Sequence, residues 1–136
     1  MSYIVTGGCG FIGSNFVNFI AEFVDGEIIV LDKLTYAGDR NNIIESDKVR
    51  VVHCDITDDL CVHNLIKHNQ PEAIFHFAAE SHVDNSITDP TIFVHTNTVG
   101  TMNLLQGVKE YSPETRFVHI STDEVYGALD HDGPSF

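Results

Sequence analysis

Short apolar runs alternate along this chain with longer segments in which apolar residues recur at helical spacing. Five of the runs are continuous and rich in β-branched and aromatic side chains, and they cover residues 3–6, 27–31, 49–53, 73–77 and 116–120. Continuous runs are typical of parallel strands covered on both faces, whereas half-exposed strands alternate apolar and polar residues. The pattern therefore predicts the strands of a parallel sheet.

The segments between the strands carry helix signals. After the first strand, apolar residues recur at a spacing that predicts one helix face, formed by Ile12, Phe16, Phe19, Ile20 and Phe23. A second helix is predicted to begin with Thr57 as its N-cap. A third is predicted to begin with Asp89 as cap and Pro90 at the first helical position, and to run to about Tyr111.

Repeated strand–helix–strand units are right-handed and build a doubly wound sheet. We therefore predict an α/β, Rossmann-like fold over residues 1–136, with parallel strands in the order 3-2-1-4-5. This order places the strand at 116–120 at an edge, where Phe117, Val118 and Ile120 lack cover. An open apolar edge favours pairing with another chain, so we expect self-association or completion by further polypeptide.

Charge and cysteine content narrow the classes of partner and compartment. The formal net charge of −13 disfavours nucleic acid and anionic membranes as partners. The sequence has no apolar run long enough for a membrane span and no basic head before the first strand, so we expect neither a membrane helix nor a signal peptide. The odd set of Cys9, Cys54 and Cys61 does not form a disulfide framework, which predicts a reducing, cytoplasmic location.

Residues 53–63 gather His, Cys and Asp side chains within a short stretch. A metal site is one interpretation, but the stretch lacks the paired C-x-x-C spacing of zinc sites. In the other interpretation, Cys54 is a small buried residue at a strand end and Cys61 lies on a helix. We favour the second and predict no metal.

A glycine-rich segment, VTGGCGFIGSNF, joins the first strand to the first helix and contains Gly7, Gly8, Gly10 and Gly13. Glycines at this spacing let the backbone turn sharply, approach a pyrophosphate and pack the helix on the strand. The free N–H groups of the helix N-terminus then bind the anion. The segment predicts a dinucleotide site, and the alternative is a purely structural turn.

Further candidate residues lie where the next strands end. Asp32 ends the second strand and can accept hydrogen bonds from a ribose diol while repelling a 2′-phosphate, which favours NAD over NADP, although the neighbouring Lys33 offsets part of this charge. Asp55 and Ile56 follow the third strand and could meet an adenine, but Asp55 could equally cap the next helix. The small Ala78 and its neighbour leave room for a ligand after the fourth strand.

Five motifs together carry a family resemblance: TGGCGFIGSNF, DKLTYAG, FAAESHVD, NTVGTMNLL and ISTDEVYG. They resemble the extended short-chain dehydrogenase/reductase family, and within it the dTDP-glucose 4,6-dehydratases. The resemblance covers essentially the whole chain. It implies NAD as cofactor and the NAD-dependent conversion of a nucleoside-diphosphate hexose, dTDP-glucose, to the 4-keto-6-deoxy sugar by loss of water.

The resemblance also assigns roles to residues. Asp123 would be the general acid and Glu124 the general base, and Thr122 would belong to the same catalytic group. Thr122 and His82 would contact the nucleotide sugar. Besides Gly7, Gly10 and Gly13, the residues of the NAD site would be Phe11, Ile12, Asp32, Lys33, Leu34, Thr35, Asp55, Ile56, Ala78, Ala79, Glu80, Ser81 and Thr96.

The proposed reaction needs a pair of carboxyl groups. Oxidation at the fourth carbon of the sugar acidifies the proton on the fifth, which a carboxylate can remove while a carboxylic acid protonates the hydroxyl leaving the sixth. Adjacent carboxyls in a partly desolvated site favour one ionised and one protonated group. The alternative is that Asp123 and Glu124 merely cap the next helix.

One element of the family is missing from the sequence. Its Tyr-x-x-x-Lys pair is absent, because the tyrosines are followed four positions on by Gly7, Arg40, Thr115 and Asp130. We therefore expect an incomplete NAD-binding domain, inactive alone, that forms the first part of a longer and homodimeric protein. The alternatives are a related nucleotide-sugar 4-epimerase or decarboxylase, and a non-catalytic module that binds NAD or a protein partner.

Overall fold

The computed structural model describes residues 1–81 and 87–127, except the side chains of Asp123 and Glu124. Its centre is a parallel sheet in the order β3-β2-β1-β4-β5, which confirms the predicted fold and strand order. Each strand lies within one residue of its predicted bounds. The strands are β1 (Ser2–Thr6), β2 (Glu27–Asp32), β3 (Val49–His53), β4 (Ala73–His76) and β5 (Arg116–His119).

Helices cover both faces of the sheet. They are α1 (Phe11–Ile20), α2 (Asp59–Asn69), α3 (Pro90–Val94) and α4 (Thr101–Tyr111), and a π-helical turn, His95–Gly100, joins α3 to α4. One apolar cluster packs α2 and α4 on one face, and a second packs α1 on the other. No described helix is long and apolar enough to cross a membrane.

The central strands supply both clusters because neighbouring side chains point to opposite faces. Ile4 and Ile29 belong to the cluster under α2 and α4, and Val5 and Val30 belong to the cluster under α1. All four are fully buried. Each such side chain contributes about 1.5–3 kcal/mol to folding, so the continuous apolar runs stabilise both layers at once.

The predicted apolar face of α1 is buried only in part, since Phe16 and Ile20 pack against the core. Ile12, Phe19 and Phe23 are more than 60% exposed in the described chain, while Gly13 and Val17 are buried. A methyl group on Gly13 would collide with the carbonyl oxygen of Gly7, so α1 can approach the sheet closely only along its small residues. The periodicity correctly predicted a helix. Several bulky residues of the predicted face are exposed, however, and the smaller residues Gly13 and Val17 are buried instead.

The predicted helix caps are partly confirmed. Asp89 accepts a hydrogen bond from the Thr91 amide and Pro90 is the first residue of α3, as predicted. Thr57 does not cap α2, because Asp58 holds that position and accepts from the Cys61 amide at 3.0 Å. The third helix does reach its predicted end at Tyr111, although the π-helical turn interrupts it.

The prediction that the cysteines form no disulfide framework is wrong for two of the three. Cys54, buried after β3, and Cys61, in the first turn of α2, form a disulfide, while Cys9 is free and buried. Their Cα atoms are 6.5 Å apart, a separation that a disulfide can span. No group of His, Cys, Asp or Glu that could hold a metal is found within the described part of the chain.

We expect reduction of this disulfide to lower the free energy of unfolding by about 2 kcal/mol, since it frees a short loop in the unfolded chain. Chemical denaturation with and without reductant measures the change, and alkylation of the denatured, unreduced protein should label Cys9 alone. Cys61→Ser is the control, because its stability should not respond to reductant. Labelling of all three cysteines in unreduced protein would contradict the prediction.

Candidate functional site

An open cleft of about 460 Å³ lies where the carboxyl ends of the strands meet. Parallel α/β sheets bind ligands at this edge. Of the residues predicted for the cofactor, the cleft is lined by Gly7, Gly10, Phe11, Ile12, Gly13, Asp32, Lys33, Thr35, Asp55, Ile56, Ala78, Ala79, Glu80, Ser81 and Thr96. The predicted residues that are separated in sequence therefore share one surface.

The glycine loop shapes the floor of the cleft. Gly7 adopts a φ of +66°, which favours glycine, and a Cβ there would lie 2.7 Å from the Cα of Ala78. Gly13 lets α1 approach the Gly7 carbonyl, as described above. The loop can thus pass between β4 and α1 only without side chains at these positions.

The N-terminus of α1 opens into the cleft. Gly10 is its N-cap, and no described side chain caps it, so the amides of the first turn lack side-chain partners. Phe11, Ile12 and Gly13 of that turn line the cleft. Free amides and the positive end of the helix dipole make this a site for an anion such as a pyrophosphate.

Asp32 is fixed at the side of the cleft and is only 8% exposed. One carboxylate oxygen accepts from the Cys9 amide at 2.9 Å and the other from the Leu34 amide at 2.8 Å. Each oxygen retains a further lone pair that can accept from a hydroxyl. The hydrogen bond from its amide to Asp32 holds Leu34 in a backbone conformation with a φ of 53°. Leu34 is the one predicted cofactor residue that does not line the cleft.

Asp55 and Lys33 form an ion pair at 2.6 Å across the rim. Partial burial acts to raise the pKa of Asp55, but hydrogen bonds from Lys33 and Thr57 outweigh it and leave the pKa below its usual value. The Thr57 amide donates to Asp55 at 2.9 Å, so Asp55 stabilises the turn before α2 while Asp58 caps the helix itself. Its contact with an adenine stays a prediction.

The segment after β4 forms the opposite wall. Ala78 donates its amide proton to Thr6 Oγ1 at 3.2 Å. Glu80 is held at both backbone groups, because its amide donates to Asn97 Oδ1 and its carbonyl accepts from Asn97 Nδ2, each at 2.9 Å. This wall is therefore tied to β1 and to the π-helical turn.

The candidate catalytic segment follows β5. Ser121 and Thr122 line the cleft, and a 3₁₀ turn, Asp123–Tyr126, comes next. The structure thus places the backbone of this segment beside the candidate cofactor site. The side chains of Asp123 and Glu124, and all of His82, lie outside the described residues, so their roles remain predictions.

Sequence reasoning missed several residues that line the cleft: Leu31, Ala37, Gly38, Cys54, Phe77, Ile120 and Ser121. Most directly flank predicted positions at strand ends, and extending each motif by one residue would have found them. Ala37 and Gly38 end the DKLTYAG motif but were assigned no role, and they reach the cleft by the folding of the loop between β2 and β3. A Cβ on Gly38 would lie 2.7 Å from Asp32 Oδ1.

Comparison with known proteins gives consistent matches. A family model described as GDP-mannose 4,6 dehydratase matches residues 4–135. The dTDP-glucose 4,6-dehydratase of Escherichia coli is 46% identical over an alignment of 142 residues, gaps included. The match covers 96% of this chain and 39% of that protein. The dTDP-glucose 4,6-dehydratase of Mycolicibacterium smegmatis is 47% identical over 137 residues, which cover 99% and 40%.

Solved structures agree with these matches. The dTDP-glucose 4,6-dehydratase of Streptomyces venezuelae, solved with NAD bound, has a TM-score of 0.86 and 45% identity, and the match covers 96% of this chain and 42% of that one. The UDP-glucose 4-epimerase of Thermus thermophilus, in complex with NAD, has a TM-score of 0.87 and 31% identity over 100% of this chain and 42% of that one.

This chain spans about 40% of the length of the curated relatives described above. Within that part, the family model accounts for nearly every residue, including the glycine loop and the segment after β5. The chain belongs to the GDP-mannose 4,6 dehydratase family.

Proposed function

We propose that this chain is the NAD-binding part of an enzyme that removes water from a nucleoside-diphosphate hexose, dTDP-glucose, to form the 4-keto-6-deoxy sugar. The observation that carries the proposal is the cleft, where a helix N-terminus and a buried carboxylate lie as a dinucleotide requires. The identities of 46% and 47% to dTDP-glucose 4,6-dehydratases support the choice of reaction.

Different residues of the cleft would bind different parts of the dinucleotide. The first-turn amides of α1 would hold the pyrophosphate, and Asp32 would accept from the ribose hydroxyls. Asp55 and Ile56 would meet the adenine at the rim. Bound NAD would supply the hydride acceptor for oxidation of the sugar, and return of the hydride would regenerate it.

The segment after β5 would carry the proton transfers. Glu124 would remove the proton from the fifth carbon of the sugar, and Asp123 would protonate the hydroxyl that leaves the sixth. Thr122 would contact the nucleotide sugar, as would His82. The position of this segment at the cleft supports these roles, since proton donors and acceptors must reach a sugar held beside the cofactor.

A 4-epimerase of the same fold is the second candidate. The Thermus thermophilus epimerase matches the backbone as well as the Streptomyces venezuelae dehydratase does, but at 31% identity rather than 45%. The adjacent acids Asp123 and Glu124 also favour elimination, which needs both a proton donor and an acceptor. We further propose that the complete enzyme is homodimeric; the Cys54–Cys61 disulfide removes the cysteine argument for a reducing, cytoplasmic location.

We expect the chain to bind NAD more tightly than NADP, and Asp32→Ala to weaken NAD by about 10- to 150-fold, the value of one hydrogen bond to a charged group. Isothermal calorimetry with both cofactors measures the effect. The ratio of the two dissociation constants is the relevant quantity, because Asp32 also orders the Cys9 and Leu34 amides.

Asp25→Ala is the control for that experiment, since it removes an exposed carboxylate away from the cleft and should leave the ratio unchanged. Equal affinities of the unaltered chain for NAD and NADP would contradict the assignment of Asp32 to the ribose. Failure to bind either cofactor would contradict the proposed function.

A further inference from the structure

A buried histidine lies between two threonines behind the wall of the cleft. His76, on β4, is 1% exposed. Its Nδ1 is 2.7 Å from Thr6 Oγ1, at the end of β1, and its Nε2 is 2.8 Å from Thr101 Oγ1, at the start of α4. None of the three lines the cleft, so none belongs to the cofactor contacts proposed above.

The hydrogen bonds around His76 run in a single direction. The Thr101 hydroxyl donates to the Asn97 carbonyl at 2.8 Å, so its oxygen accepts the proton of His76 Nε2. Nδ1 then accepts the proton of the Thr6 hydroxyl, whose oxygen accepts the Ala78 amide proton. Only the neutral Nε2–H tautomer satisfies every one of these groups.

The surroundings of His76 keep the ring neutral. Burial first, and the nearby His119 second, lower the pKa of His76 to about 4. The rings of His119 and Phe117 on β5 lie 5.1 and 5.9 Å away. A neutral ring with one donor and one acceptor fits the two threonines at physiological pH.

Both ends of this network reach the same wall of the cleft. At one end, Thr6 holds the Ala78 amide. At the other, Thr101 holds the backbone of Asn97, whose side chain bonds both backbone groups of Glu80. Asn97 lies in the π-helical turn, a departure from regular helix of the kind found often at functional sites.

We propose that Thr6, His76 and Thr101 form a positioning network that sets the affinity of the cleft for its dinucleotide by fixing residues 78–81 against the π-helical turn. The proposal rests on the proposed NAD site. The network contacts no ligand atom and acts through the backbone of Ala78 and Glu80. An ordered wall binds more tightly because less conformational entropy is lost when the ligand arrives.

The test is Thr101→Val, which removes the hydroxyl and keeps the shape of the side chain. We expect NAD affinity to fall about tenfold, the cost of ordering about one further residue when the ligand binds, and Thr101→Ser to restore it. Thr115→Val is the matched control, because Thr115, like Thr101, donates its hydroxyl proton to a backbone carbonyl, that of Pro71. Thr115 lies before β5 at the opposite end of the sheet and is the more buried of the two. Calorimetry gives the affinities and thermal melting the stabilities.

Two further readouts need no cofactor. In Thr101→Val the amide hydrogen of Glu80 should exchange with solvent faster. The nitrogen chemical shifts of His76 should no longer be those of the Nε2–H tautomer alone. Thr115→Val should change neither readout. Unchanged Glu80 exchange in Thr101→Val, or equal losses of affinity in both valine variants, would overturn the proposal. If the unaltered chain binds no NAD, the proposed function fails, and Glu80 exchange alone decides whether the network positions the wall.

Discussion

In the complete protein, Glu124→Gln is expected to stop the elimination of water while the oxidation of the sugar continues. Removing a general base costs about 10²- to 10⁴-fold in rate, and glutamine cannot accept the proton from the fifth carbon of the sugar. Reduced nicotinamide should therefore accumulate, as followed by its absorbance, without release of the 4-keto-6-deoxy sugar. The substrate for the assay is dTDP-glucose.

Glu22→Gln is the matched control, because this substitution makes the same chemical change outside the cleft. Glu22 is an exposed glutamate just after α1. It should retain normal turnover. Near-normal product formation by Glu124→Gln would remove this residue from the role of base. Loss of both oxidation and elimination would point instead to a role in binding the sugar.

Gly13→Ala is expected to weaken cofactor binding strongly and to destabilise the fold. The added methyl meets only backbone, namely the Gly7 carbonyl and the Gly8 Cα, so α1 or the glycine loop must move. Overpacking of this kind costs about 1–3 kcal/mol in stability. Displacement of the first-turn amides would remove two or more charge-assisted hydrogen bonds to the pyrophosphate, a loss of about 100-fold or more in affinity.

The control is Gly107→Ala in α4, another buried glycine within a helix. Its methyl would meet the side chains of Ile66 and His63, which can shift, and alanine favours the helix by about 1 kcal/mol. We expect little net change in stability and none in NAD affinity. Calorimetry and chemical denaturation of both variants make the comparison, and equal NAD affinities would contradict the proposed geometry of the loop.

Local patterns were sufficient for the sheet. Continuous β-branched runs identify strands buried on both faces, and the handedness of βαβ units then leaves few strand orders. The same logic located the cleft, because carboxyl ends of parallel strands meet at one edge. The sequence therefore predicted that Asp32, Asp55 and Ala78 lie in one site, and all three line the cleft.

Packing between elements was beyond the reach of periodicity. Ile12 and Phe19 fall on α1 at a spacing as regular as that of Gly13 and Val17, but only the smaller residues let the helix approach the glycine loop. The Cys54–Cys61 disulfide likewise depends on the first turn of α2 lying against the end of β3. Neither outcome is encoded in a local pattern, since each depends on how a helix packs against the strand or loop before it, even though the residues in contact are close in sequence.

The sequence by itself determined the parallel sheet, the glycine loop and the chemical nature of the candidate site, because these follow from side-chain type and local spacing. Only the tertiary structure decided how the site is held. It showed that both oxygens of Asp32 already bind backbone amides and that His76 links Thr6 to Thr101. These contacts join residues up to 70 positions apart, and a hydrogen bond depends on distance and direction in space rather than on sequence spacing.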